Sequence, residues 1–287
     1  PGHSLWRLPP AVIGLTVVAA GTSVPELAVS GIAAAQGSTD LAVANVVGSN
    51  IFNIAFILGL GALISPLVVS GNTVKLEYPV LALVTLLYVA IAQDESLNRV
   101  DGILCLAIYF CFTAYLVSLV REKMKAEETT EMTQEVAALG GSPGSPPSGW
   151  MCTLLVGFGI ACLTAGAHSM VTGAVELAKL LGRTEGLSGL TIVAIGTGLP
   201  GVVTSVVASS RGRGDFAIGN VIGSSLFNIL VILGLGALIS PTAISVPMEI
   251  IASDNWWLLG ITLLLFPIMF TGRRINRWEG GVLLAAY

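Results

Sequence analysis

The sequence is short of charge, since only 10% of its 287 residues are Asp, Glu, Lys or Arg. A soluble domain carries about 25% charged residues, so this composition excludes an ordinary water-exposed surface. Histidine is nearly absent, with 2 residues, and the 4 cysteines lie inside apolar stretches without metal-ligand spacing. We therefore expect no zinc centre and no cofactor. Basic residues (13) do not outnumber acidic ones (17), and we expect no nucleic-acid partner.

Long apolar runs are abundant. A helix that crosses a bilayer needs about 20 mostly apolar residues. Such runs occur at about 11–35, 41–64, 76–93, 102–120, 151–178, 188–209, 216–239 and 249–270, and a ninth starts near 280 and stops at Tyr287. We predict an all-α, multi-pass protein that contacts the lipid bilayer of the plasma (inner) membrane.

The chain contains a gapless internal repeat. Shifted by 175 residues, the stretch 14–66 aligns with 189–241, and 30 of the 53 positions are identical. The matches include polar residues and prolines, which a shared apolar composition does not place in register: Pro25 with Pro200, Asn45 with Asn220, and Asn53 with Asn228. The two stretches therefore predict two copies of one structural unit.

The two copies are predicted to cross the membrane in opposite directions. An odd number of predicted helices, five, separates the start of one copy from the start of the next. Basic residues fix the orientation, because cytoplasmic loops are enriched in Lys and Arg. Ten of them fall on one side of the predicted topology and three on the other, so the first side is cytoplasmic. Inverted repeats are typical of secondary transporters, with the substrate site near the midplane.

The same register predicts the domain organisation. We expect a first repeat unit at 1–120, a flexible cytoplasmic linker at 121–150 and a second unit at 151–287. The helix at 151–178 would map to positions before residue 1, and the run after Glu279 is too short to span a bilayer. We therefore expect a parent of two five-helix units whose first helix is missing and whose tenth is clipped.

Polar residues inside the predicted spans mark the candidate site. In the first repeat they concentrate at Gly21–Glu26, where Pro25 removes a backbone hydrogen bond and would free carbonyls near Ala19. Thr22 and Glu26 are four residues apart and share a helix face, as do Ser49 and Asn53 in the next helix. Carboxylate, hydroxyl and amide oxygens suit sodium, calcium or magnesium better than zinc or copper.

Simpler interpretations compete for most of these residues. Serine, threonine and asparagine in membrane helices often only hydrogen-bond a neighbouring helix, and His168 is more simply explained by helix packing than by an ion path. Glu26 differs, because a carboxylate at mid-membrane depth, with no Lys or Arg in its own span, has no evident structural purpose.

These motifs resemble those of a known family. Gly21-Thr-Ser-Val-Pro-Glu-Leu27 followed by Gly48-Ser-Asn-Ile-Phe-Asn53 is similar to the alpha repeat of the cation/calcium exchanger superfamily, particularly its bacterial sodium/calcium exchangers. The resemblance implies a ten-helix antiporter that exchanges sodium for calcium by alternating access. It also implies a cation-binding set drawn from both repeats: Ala19 (carbonyl), Thr22, Ser23, Glu26, Ser49 and Asn53, with Ala194 (carbonyl), Thr197, Ser224 and Asn228.

The second copy departs from the family pattern. Glycine stands at 201 where the family has a second glutamate and at 198 where it has serine, and Ser225 replaces an asparagine. Position 228, an acid in some relatives, is Asn. A single carboxylate leaves a divalent ion with a net positive charge. Besides sodium/calcium exchange, three outcomes therefore stay open: a monovalent or proton-coupled exchanger, a site completed by an unusual ligand, and a transport-poor paralogue.

Two other functional classes fit the sequence less well. An intramembrane enzyme would use Glu26 or Ser23, but no His or Asp lies at a helix spacing suited to Ser23, and we predict no enzymatic activity. A channel needs no alternating access, and broken helices do not exclude it. We expect a monomeric antiporter whose partners are calcium, sodium and lipid.

Overall fold

The computed structural model describes residues 14–127 and 185–287, with a few isolated positions between 150 and 165. The described chain is helical apart from four two-residue strands, so the predicted all-α fold is confirmed. The linker from 128 to 149, most of the predicted helix 151–178 and His168 lie outside the described residues.

The first unit begins with a broken helix. A π-helical turn at Gly14–Val18 runs into a short helix at Ala19–Thr22 (together α1), and α2 follows at Val24–Ala35. The rest of the unit comprises α3 (Thr39–Ile64), β1 (Leu67–Val68), α4 (Thr73–Asp94), β2 (Ser96–Leu97) and α5 (Arg99–Glu127). Helix α5 extends seven residues into the predicted linker.

The second unit repeats this order. It comprises α6 (Glu185–Ser210), α7 (Gly214–Ile239), β3 (Ile244–Ser245), α8 (Ile250–Phe270), β4 (Arg274–Ile275) and α9 (Arg277–Ala286). Five described helices are long and apolar enough to cross a membrane, namely α3, α4, the part of α5 at Arg99–Leu119, α7 and α8. Equivalent π-helical turns interrupt α3 at Phe52–Ile57 and α7 at Asn228–Ile232.

The strands show how the two units meet. Strand β1 pairs with β4, and β2 pairs with β3, both antiparallel. Since β1 and β3 follow equivalent helices, as do β2 and β4, the two pairs are related by an internal two-fold. An aromatic contact repeats in the same way: Tyr287 lies edge-on to Phe52 at 5.5 Å, and Tyr109 lies edge-on to Phe227 at 5.8 Å between ring centroids.

The ends of α2 and α6 lie on opposite sides of the molecule. After α2, the Thr39 hydroxyl accepts a hydrogen bond from the backbone N–H of Ser245 in β3. After α6, Gly214 contacts Leu67 and Val68 of β1. The β1–β4 side carries Lys75 and most of the described arginines, and the β2–β3 side carries Arg99. Equivalent helices thus cross in opposite directions, as the repeat predicted.

Glycine pairs bring the last helix of each unit against the other unit. A Cβ added at Gly59 of α3 would lie 2.9 Å from the carbonyl oxygen of Gly280 in α9. At the equivalent contact, a Cβ on Gly102 of α5 would lie 2.7 Å from the carbonyl oxygen of Gly234 in α7. Small residues allow this close backbone approach in membrane helices.

We expect Gly102→Ala to lower the melting temperature, because the added methyl group meets backbone that cannot move aside. The cost of overpacking is about 1–3 kcal/mol. Gly260→Ala is the matched control, since Gly260 also lies within a helix but has nothing within 4 Å of its Cβ position. Thermal unfolding in detergent measures both variants. Equal melting temperatures would contradict the close contact.

Candidate functional site

The break between α1 and α2 shapes the first half of the site. The chain turns at Ser23, which has φ −92° and ψ 8°, and α2 restarts with Pro25 in its first turn. The helix is therefore interrupted at the motif where the sequence predicts an opening. One detail of the prediction was wrong, because the Ala19 carbonyl is not freed: it accepts a hydrogen bond from the Ser23 N–H at 3.1 Å. Pro25 removes the donor that would otherwise reach Gly21, four residues before it.

Oxygen atoms of the two repeats meet beside this turn. The hydroxyl oxygen of Thr22 lies 3.2 Å from the Ala19 carbonyl oxygen, 3.3 Å from Oδ1 of Asn220 and 3.3 Å from the Ser224 hydroxyl. Ser224 in turn donates to the Ala19 carbonyl at 3.4 Å. We call Ala19, Thr22, Asn220 and Ser224 the oxygen cluster. Its two hydroxyls supply only two hydrogens among four oxygen atoms, so it has acceptors to spare for a cation.

The orientation of Asn220 in this cluster is fixed. Its Nδ2 donates to Ser205 at 3.2 Å and to Thr204 at 3.3 Å, and these partners turn Oδ1 towards Thr22. Asn45 occupies the equivalent position and donates to Ser30 at 2.9 Å. Sequence reasoning did not assign Asn220 to the site, although its exact match to Asn45 in the repeat was a usable signal.

Glu26 is buried in α2, with 2% of its surface exposed. Its Oε2 has no hydrogen-bond partner among the described residues. Among all the described residues, no group of three or more His, Cys, Asp or Glu side chains could hold a metal ion. An unpartnered carboxylate oxygen away from water is costly, and a bound cation or proton would relieve that cost.

The π-helical turn of α7 lies against Glu26's helix. Helix α2 packs on Asn228–Ile232, as α6 packs on the equivalent turn of α3. Asn228 is fully buried, and its Oδ1 has no partner among the described residues. Ser49 is also fully buried, and its hydroxyl is likewise unpartnered there. Ser23 and Asn53 are buried with them.

Apolar side chains lie against Gly198 and Gly201 of the second repeat motif. A Cβ on Gly198 would lie 2.7 Å from the ring of Phe52, which occupies the space of the missing serine. A Cβ on Gly201 would lie 3.2 Å from Cδ1 of Ile57 and 4.0 Å from Oδ1 of Asn53. Helix α6 continues through Pro200 without the break seen in the first repeat. Thr197 is buried in this helix, and Ala194 lies one turn before it.

Matches to known proteins agree with this architecture. Residues 3–118 and 151–287 match the family described as sodium/calcium exchanger protein. The chain is 41% identical over 284 residues to a putative antiporter, CaxA, of Alkalimonas amylolytica, covering 98% of this chain and 86% of that protein. It is 34% identical over 280 residues to the inner membrane protein YrbG of Escherichia coli, covering 97% and 84%.

A solved structure has the same fold. The sodium-calcium exchanger NCX_Mj, soaked with Na⁺ and Ca²⁺, superposes with a TM-score of 0.78 at 29% identity. The superposition covers 98% of this chain and 85% of that structure. The sequence resemblance to cation/calcium exchangers is therefore confirmed over nearly the whole chain.

Proposed function

The chain belongs to the sodium/calcium exchanger protein family, and from that premise we propose that it exchanges sodium for calcium across the plasma (inner) membrane. It is a multi-pass membrane protein and a transporter, not an enzyme. The proposed cation site combines the Glu26 carboxylate with oxygen atoms of both repeats. These are Ala19, Thr22, Ser23, Ser49 and Asn53 from the first, and Ala194, Thr197, Asn220, Ser224 and Asn228 from the second.

The oxygen cluster carries this proposal. Thr22 of one repeat and Ser224 of the other share the Ala19 carbonyl, so a cation bound there would contact both units at once. Glu26 lies one turn beyond Thr22 and brings the negative charge. Hard oxygen donors of this kind select sodium and calcium over softer metals.

The inverted architecture supports alternating access. The two units are related by a two-fold axis in the membrane plane. A site at their interface therefore has equivalent helices between it and each side of the membrane. Rocking or sliding of the peripheral helices can then expose it to either side in turn. Helix α5 packs mainly on the second half of α7 and is otherwise largely exposed, whereas α3 and α7 form the buried centre.

A second candidate is exchange of a monovalent cation or a proton, and Gly201 favours it. One carboxylate neutralises sodium fully but leaves a calcium ion with one uncompensated charge. In a site of low dielectric constant, that charge interacts strongly with every neighbouring dipole. Among the described residues, the Cβ positions at Gly198 and Gly201 face Phe52, Ile57 and Asn53, none of which is an acid.

Ion flux into vesicles separates the two candidates. With the purified protein in proteoliposomes loaded with sodium, we expect radioactive calcium to enter when external sodium is removed and to stay out when both sides hold equal sodium. A pH gradient without sodium should drive no calcium uptake. Uptake that follows only the pH gradient would replace sodium/calcium exchange by proton-coupled exchange, and no calcium uptake under either gradient would favour a monovalent-cation exchanger. Uptake that ignores both gradients would exclude an antiporter.

A further inference from the structure

A chain of hydrogen bonds links the two repeats at Asn228, one of the proposed cation ligands. Nδ2 of Asn50 donates to the backbone carbonyl of Ser225 at 3.3 Å. Oδ1 of Asn50 accepts from Nδ2 of Asn228 at 3.0 Å. Asn50 and Asn228 are both fully buried, and positions 50 and 225 are equivalent in the repeat.

The chemistry of this chain leaves one arrangement of the amides. A backbone carbonyl only accepts, so Asn50 must turn its NH₂ group towards Ser225. The carbonyl oxygen of Asn50 therefore faces Asn228, which must donate a hydrogen bond to it from its own NH₂ group. The oxygen of Asn228 is then turned away from Asn50, and it has no partner among the described residues. Because the Ser225 carbonyl can only accept a hydrogen bond, it fixes the orientation of the Asn50 amide and, through it, that of the Asn228 amide.

We propose that Asn50 is a positioning residue that holds the Asn228 oxygen towards the transported cation. The inference rests on the proposed function, because it assumes that Asn228 is a cation ligand. An amide that is free to rotate presents its NH₂ group for part of the time, which repels a cation. An amide locked by Asn50 presents only oxygen.

We call the hydrogen bonds from Asn50 to Ser225 and from Asn228 to Asn50 the lock. Among the described residues, it exists on one side of the two-fold only. The equivalent lock would join residue 225 to Asn53, but position 225 is serine, and its hydroxyl has no partner among the described residues. The locked amide therefore belongs to the turn that packs on Glu26's helix. Carboxylate and locked oxygen lie on the same side, so the cation is expected off the two-fold axis, nearer to Glu26 than to Gly201.

Asn50→Ser tests the lock and should fold, because serine occupies the equivalent position 225 in the native chain. We expect calcium affinity, measured by equilibrium binding to the full chain in detergent, to fall about tenfold, because the Asn228 oxygen would no longer be held on the ion and the loss should be comparable to that of one hydrogen bond. Asn228→Ala should cost a similar factor. The double variant should cost no more than Asn228→Ala alone, because Asn50 acts only through Asn228.

Asn45→Ser is the matched control for this cycle. Asn45 lies on the same helix and is equally buried, but its amide is bonded to Ser30. Its effect should add to that of Asn228→Ala. If the effects of Asn50→Ser and Asn228→Ala add in the same way, the positioning role is overturned while the proposed function stands. If Glu26→Gln leaves calcium binding unchanged, the proposed site itself fails, and the two results are distinguishable.

Discussion

Glu26→Gln should abolish calcium binding and transport. The substitution keeps the size of the side chain and removes its charge. A unit charge pair at 4 Å is worth about 4 kcal/mol at an effective dielectric constant of about 20, before desolvation is subtracted. We therefore expect at least about a hundredfold weaker binding, since each factor of ten corresponds to about 1.4 kcal/mol. Calcium titration of the purified protein measures it.

Glu77→Gln is the matched control for this loss. Glu77 lies in the membrane-spanning helix α4 with 1% of its surface exposed, so it is as buried as Glu26. Its Oε2 is already bonded to the Thr73 hydroxyl at 2.8 Å, whereas Oε2 of Glu26 has no partner among the described residues. Calcium affinity should survive in Glu77→Gln. An equal loss of calcium affinity in both variants would mean that any buried carboxylate supports binding through the fold, and that Glu26 has no special role at the site.

Gly201→Glu should tighten calcium binding by one to two orders of magnitude. The new carboxylate would stand opposite Glu26 across the internal two-fold and neutralise the second charge of the ion. The gain follows from the same electrostatic interaction of about 4 kcal/mol, reduced by the cost of burying a second acid. Its Cβ would start 4.0 Å from Oδ1 of Asn53, within reach of the oxygen atoms of the site.

Ile57 decides whether that carboxylate fits. Its Cδ1 would lie 3.2 Å from the new Cβ, and it is the end of a flexible side chain. Ile57→Val in combination with Gly201→Glu should relieve the contact and enlarge the gain. Gly201→Gln is the control, because it has the same bulk and no charge. If the glutamine variant binds calcium as tightly as the glutamate variant, charge is not what the second repeat lacks.

Much of the fold and site follows from the sequence because the repeat is gapless. The register pairs Thr22 with Thr197 and Ser49 with Ser224, and the structure buries all four. The predicted spans agree closely with the helices of the described residues. For example, the sequence predicts a span at 216–239, and α7 runs Gly214–Ile239. Such agreement is expected, since spans are set by apolar length and the repeat constrains each element twice.

The remaining details depend on contacts between distant residues. The sequence did not indicate that Phe52 fills the space beside Gly198, because that contact joins helices of different units. It did not indicate Asn50 either, since its equivalent is Ser225 and the repeat gave no matching pair. Helix α5 extends to Glu127 because residues 121–127 are mostly strong helix formers, although their charge suggested a linker.

The asymmetry of the two repeats has a physical consequence for transport. The first repeat supplies the charge and a broken helix, and the second supplies a continuous helix and a locked amide. In the proposed site, a cation held between Glu26 and Asn228 would lie at the packing of α2 on α7, so we expect its release to require a change in that contact.

The most direct measurement compares the native protein with Glu26→Gln in sodium-loaded proteoliposomes prepared in parallel. Removal of external sodium should drive rapid calcium uptake by the native protein and none by the variant, at equal protein incorporation. Calcium uptake by Glu26→Gln at the native rate, with the same dependence on the sodium gradient, would contradict a single-carboxylate exchange site.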